Sequence, residues 1–187
     1  MIKNPIQDVT NKLQYRAIGI VEGIYKPNDI NQLNRGKLID EEGKIIETVI
    51  LGKALSLIKK HINLDKNYFW IVYPRNKSTN KLHLQVAGIW DPYQFNQIDI
   101  SKYEKYPNDL LDELNLNNNY FSIRGELVYV NTQKKEVVIK ICSSPTSKRL
   151  KDPTFKIIVE GEISLQFLNN FVSLDVIRDG NILRMVK

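Results

Sequence analysis

The stretch Tyr15-Arg-Ala-Ile-Gly-Ile-Val-Glu-Gly-Ile-Tyr-Lys26 decides how this chain is read. Its β-branched and aromatic residues make one long strand. Gly19 and Gly23 sit inside that strand, where a glycine permits a bend, a bulge or a close backbone approach. A shorter echo lies far downstream. Tyr120-Phe-Ser-Ile-Arg-Gly-Glu-Leu-Val-Tyr-Val130 is again a strand, with Gly125 at its centre.

Working outward from the first strand, a polar loop is expected over Pro27–Arg35. A hairpin follows, with Lys37-Leu38-Ile39, the turn Asp40-Glu41-Glu42-Gly43, and a strand over Lys44–Leu51. The period then changes. Leu55, Ile58 and Ile62 fall at helical spacing within Gly52–Ile62, with Lys59 and Lys60 on the other side. Tyr68–Tyr73 reads as an aromatic strand expected to end at Pro74, and Lys81–Trp90 alternates Leu82, Leu84 and Val86 with His83, Gln85 and Ala87. The order is β-β-β-α-β-β.

Residues 91–119 break the pattern with Pro92, Pro107 and an asparagine-rich end, and are expected to form a linker. A short acidic helix is predicted over Asn108–Leu114, and Tyr93, Phe95 and Tyr103 could pack against a neighbour. The second half then repeats the plan loosely. Tyr120–Val130 turns at Asn131–Lys135 into Glu136–Cys142, with Val137, Ile139 and Ile141 on one face. A basic loop, Ser143–Pro153, leads to strand Phe155–Glu160 and a helical or turn segment, Ser164–Asn170. The last hairpin turns at Arg178-Asp179-Gly180.

This order resembles the oligonucleotide/oligosaccharide-binding (OB) fold, a five-stranded Greek-key barrel with a helix between its third and fourth strands. The features that carry the resemblance are the glycine-bent first strands and the helix Gly52–Ile62. It implies a mainly β protein of two OB-like barrels, residues 15–90 and 120–187, joined by the 91–119 linker. It also implies a ligand lying across the second and third strands of a barrel, between the loops joining strands one to two and four to five.

Composition narrows the function. The 187 residues carry a formal net charge of +6, which favours polyanions such as nucleic acid or acidic surfaces. Cys142 is the only cysteine, so no internal disulfide can form and a reducing, cytoplasmic setting is expected. No apolar run approaches the ~20 residues that cross a bilayer. His61 and His83 read as surface or rim residues, and neither HExxH, CxxC nor a phosphate-binding glycine loop occurs. No catalytic residues, metal site or cofactor are therefore assigned.

Cations and rings remain. Trp70, Tyr73, Arg75, Lys77 and Lys81 surround one hairpin, in the mixture that single-strand binders use for stacking and phosphate contact. A strand sends Tyr68 and Trp70 to one face and Phe69 and Tyr73 to the other. One of these faces must fill the core, and the other is the candidate stacking surface. A second basic group comprises Lys134, Lys135, Lys148, Arg149 and Lys151. These ten residues point to single-stranded DNA or RNA as partner. Two rival readings are a protein-interaction or assembly module, and an enzyme whose Asp, Glu, Lys and Tyr residues converge only in three dimensions. Oligomeric state is left open.

Overall fold

The computed structural model describes residues 4–77, 80–91, 101, 108–142 and 154–186. Strand β1 (Arg16–Asp29) is 14 residues long because it serves three neighbours. Its last part pairs with β2 (Gln32–Ile39), its middle with β4 (Tyr68–Asn76), and its first residues with a strand of the second half. With β3 (Ile45–Ile50) and β5 (Leu82–Trp90), these strands close in the order β1-β2-β3-β5-β4-β1. The parallel pairing of β3 with β5, Thr48 opposite Leu84 and Ile50 opposite Val86, completes the circuit. Helix α1 (Gly52–His61) lies between β3 and β4 and buries Ala54 and Ile58. This is the OB arrangement.

The expected loop over Pro27–Arg35 is instead the far end of the β1–β2 ribbon. Asp29 opposes Gln32, and Ile30–Asn31 make the turn, in which the Asp29 carboxylate accepts the Asn31 N–H at 2.8 Å. Polar side chains there hide the strands from a hydrophobicity reading, because much of the ribbon faces water.

The second half closes too. β6 (Tyr120–Asn131), β7 (Glu136–Cys142), β8 (Thr154–Glu160), β9 (Phe171–Asp179) and β10 (Ile182–Met185) follow the order β6-β7-β8-β10-β9-β6. A single parallel bridge, Arg184 opposite Glu160, seals it. The fold's helix is replaced by one 3-10 turn, Leu165–Phe167. Gly180 adopts a φ of +59° in the β9–β10 turn, a conformation that costs glycine little.

The barrels share a wall. Arg16–Gly19 pair antiparallel with Phe121–Arg124, and the fully buried Phe121 ring sits over Gly19, where a Cβ would lie 2.3 Å from the ring. At one end the Arg178 guanidinium donates to Asp40 Oδ2 at 2.5 Å, with both side chains buried. Lys44 meets Asp179 beside it at 2.6 Å. Elsewhere the Ile158 N–H donates to Asn76 Oδ1 at 3.0 Å. The linker packs as well. Helix α2 (Asn108–Glu113) and the segment after it bury Leu110, Leu111 and Leu116 against Ile20, Phe69 and Trp90 on the outside of the first barrel. Tyr93, Phe95 and Tyr103 lie outside the described residues.

That packing corrects the expectation for β4. Trp70 fills the first barrel, with no exposed surface and its indole N–H donating to the Gly23 carbonyl at 2.8 Å. Phe69, on the opposite face, is covered by the linker. Both faces are occupied, so Trp70 is a core residue and cannot stack on a ligand.

Candidate nucleic-acid interface

The open surface lies one barrel further on. In β7 the alternation of Val137, Ile139 and Ile141 into the core sends Glu136, Val138 and Lys140 outward. The register with β8 sets Lys140 opposite Lys156, Val138 opposite Ile158 and Glu136 opposite Glu160. Like charges directly across a ladder are destabilising. Glu126, opposite Lys140 on β6, forms an ion pair with one of the two lysines at 2.9 Å, which raises the Lys140 pKa and keeps it a cation. Lys156 is exposed and has no ion pair with another described residue.

Rings border these cations. A register shift between Leu127 and Tyr129 turns the Tyr129 ring outward, where it is 47% exposed. Phe155 is stacked by Arg75, whose guanidinium carbon lies 3.7 Å from the ring centroid and 5.9 Å from that of Tyr73. Burial lowers the Arg75 pKa, which still leaves a cation. Tyr129, Val138, Lys140, Phe155 and Lys156 line a groove of about 890 Å³, to which the first barrel adds Asn76, Lys77 and Asn80.

Lys77 also borders a second groove of about 400 Å³ across β2 and β3, with Arg35, Lys37 and His83. Glu47 partly offsets its charge, opposing Lys37 across the ladder and pairing with Lys77. His83 is held below the ordinary histidine range, first by burial and then by Lys77 and Arg75, and so is neutral at pH 7. Each groove crosses the second and third strands of its own barrel, and both touch Lys77.

Of the residues singled out by sequence, Arg75 and Lys77 stand at the seam of the two barrels, with Tyr73 half-buried beside Arg75. Lys81 is exposed next to this seam, and Lys134 lines a smaller cleft. Lys135 is drawn into an ion pair with Glu162 at 2.8 Å. Lys148, Arg149 and Lys151 lie outside the described residues. Sequence reasoning passed over Tyr129, Lys140, Phe155, Lys156, Arg35 and Lys37. The outward placement of Lys140 was readable from its alternation with Val137, Ile139 and Ile141. Its meeting with Lys156 depends on strand register.

Among the described residues no group of three or more His, Cys, Asp or Glu side chains could hold a metal ion. No helix among them is long and apolar enough to cross a membrane. No curated protein matches the chain. Two family models do. Residues 17–97 match the N-terminal OB-fold domain of the PatR RNA-binding protein, and residues 123–187 match a cyanobacterial OB-fold-like RNA-binding domain, C-terminal. The matched segments coincide with the two closed barrels, stand in the order their descriptions require and take in most of the sequence. The chain is therefore a tandem OB-fold, nucleic-acid-binding protein, similar in each half to a domain described as RNA-binding.

Proposed function

We propose that the protein is a non-catalytic binder of single-stranded RNA, held chiefly on the β7–β8 face and continuing past Arg75 and Lys77 toward the β2–β3 groove. The observation that carries this reading is the unfavourable Lys140–Lys156 opposition beside an exposed Tyr129. Two cations kept face to face at a cost to stability suit a site whose charge is completed by phosphate. A neighbouring ring offers a stacking platform for an unpaired base, at about 1–3 kcal/mol per base. The single unpaired Cys142 suits a reducing compartment, and we place the protein in the cytoplasm.

The test is fluorescence anisotropy with mixed-sequence single-stranded RNA, the corresponding DNA and a duplex, over a range of salt. Affinity should be highest for the single-stranded RNA and fall steeply with salt. No binding at low salt would end the proposal. A protein partner is the second reading, favoured by Leu165, Phe167 and Leu168, which are 60%, 44% and 38% exposed around the 3-10 turn. Under that reading, nuclease treatment would leave co-purifying protein in place.

A further inference from the structure

Beside the larger groove lies a cleft of about 230 Å³ at the junction of β5, β8 and β10, sharing Asn76, Asn80, Glu136 and Ile158 with it. Its size is below the roughly 300–1,000 Å³ of a typical small-molecule site and suits a fragment such as one nucleobase. Its chemistry differs from that of the grooves. Ile158, Ile182 and Leu183 supply an apolar lining, and Ile182 keeps 43% of its surface exposed. Glu136 and Glu160, directly opposed across β7 and β8, bring two carboxylates, Glu160 with Arg184 at 3.5 Å from one of its oxygens, and Lys134 brings one cation. The side-chain amides of Asn80 and Asn181 complete the rim, with no hydrogen-bond partner among the described residues.

The outer surface of β7 and β8 thus changes character along its length. It runs from the lysine pair through Val138 and Ile158 to the glutamate pair. Four steps along the strand, about 13 Å, separate the two charged pairs, room for a phosphate at one end and the far edge of its base at the other. The lysine end suits a phosphate and the apolar middle suits the face of a base. The carboxylate end repels phosphate and accepts only from N–H donors.

We infer that this cleft selects guanine in a single strand bound as proposed above. Guanine alone among the RNA bases presents two adjacent donor groups, N1–H and N2–H₂, to a carboxylate while its O6 and N7 accept from a lysine or an amide. Uracil offers one donor between two carbonyl oxygens that the glutamates would repel. Adenine and cytosine offer a single amino group each. The inference rests on the single-strand reading of the larger groove, and its test separates the two.

Ten-nucleotide U-rich RNAs carrying G, A, C or U at the centre are titrated into the full chain at one salt concentration. The central G should tighten binding about tenfold over U, as one good bidentate base contact does. The double variant E136Q/E160Q should lose that preference, so that the four strands bind it with equal affinity. Asn80 has a φ of 60°, so N80G removes its amide without straining the turn and should weaken the preference further than it weakens all-U binding. Equal binding of the four strands to the parent, or a G preference that survives E136Q/E160Q, overturns the guanine cleft and leaves the single-strand reading intact. Failure of every strand to bind overturns both.

Discussion

Lys140 of β7 stands directly across the ladder from Lys156 of β8, two cations facing each other on an open surface. Glu126 answers only the first of them. Such an opposition lowers the stability of the free protein and raises its affinity for an anion, so one substitution should move the two properties in opposite directions. Lys156→Thr is expected to stabilise the fold by about 0.2–1 kcal/mol in urea titrations, through relief of the like-charge pair. The same variant should bind single-stranded RNA more weakly, with the slope of log affinity against log salt reduced by about 0.7. A variant that loses stability and keeps its affinity would speak against the site.

The Arg178–Asp40 pair is a structural clamp. Its side chains are 1% and 5% exposed, and it ties the β9–β10 turn of one barrel to the β2–β3 turn of the other. Removing one charge strands its partner in a buried setting. Asp40→Asn retains an oxygen for the Glu42 and Lys44 N–H groups that Asp40 Oδ1 accepts, so the local turn should survive. Asp40→Asn should cost about 3–5 kcal/mol by chemical denaturation, and a double replacement with apolar residues should cost clearly less than the single changes combined.

Stability should also depend on pH through Glu22. Burial, then a hydrogen bond with Glu41 and the charge of that neighbour, raises the Glu22 pKa to about 7. Its folded value lies above the ordinary carboxyl value, so the folded state holds a proton that the unfolded chain releases. The resulting contribution is complete below about pH 4.5, the ordinary glutamate range, and is lost as pH rises through 7. Glu22→Gln keeps an oxygen for the Asn67 amide, which donates to Glu22 Oε1 at 2.7 Å. Urea midpoints at pH 5 and pH 8 should differ more for the parent than for this variant.

Gly19→Ala would drive a methyl group into the Phe121 ring that seats between the barrels. Overpacking of this kind costs about 1–3 kcal/mol. Phe121→Leu in the same chain should recover part of the loss, giving a non-additive double mutant in thermal melts. Additive losses would mean that the two residues do not meet.

Much of this architecture is legible in single residues. Leu82, Leu84 and Val86 announce β5 by alternation, and Asp179-Gly180 marks the last hairpin. Leu55 and Ile58 place α1 between the third and fourth strands. What stays hidden is non-local. Alternation says that Phe69 and Trp70 face opposite ways, but only the linker leucines 110, 111 and 116 decide that both are covered. Likewise Lys156 carries no local mark of importance. It gains one from a register that pairs Glu136–Cys142 with Thr154–Glu160 across a connection with no pattern of its own.

The wall common to both barrels has a consequence for recognition. Two modules on a flexible tether must be brought into mutual alignment each time a ligand spans them, and that lost freedom is subtracted from the affinity. Here Arg16–Gly19 are hydrogen-bonded into the second barrel, so the alignment is already made when the chain folds. A strand captured on one module meets the other without waiting for a hinge. The spacing it reads is a constant of the molecule.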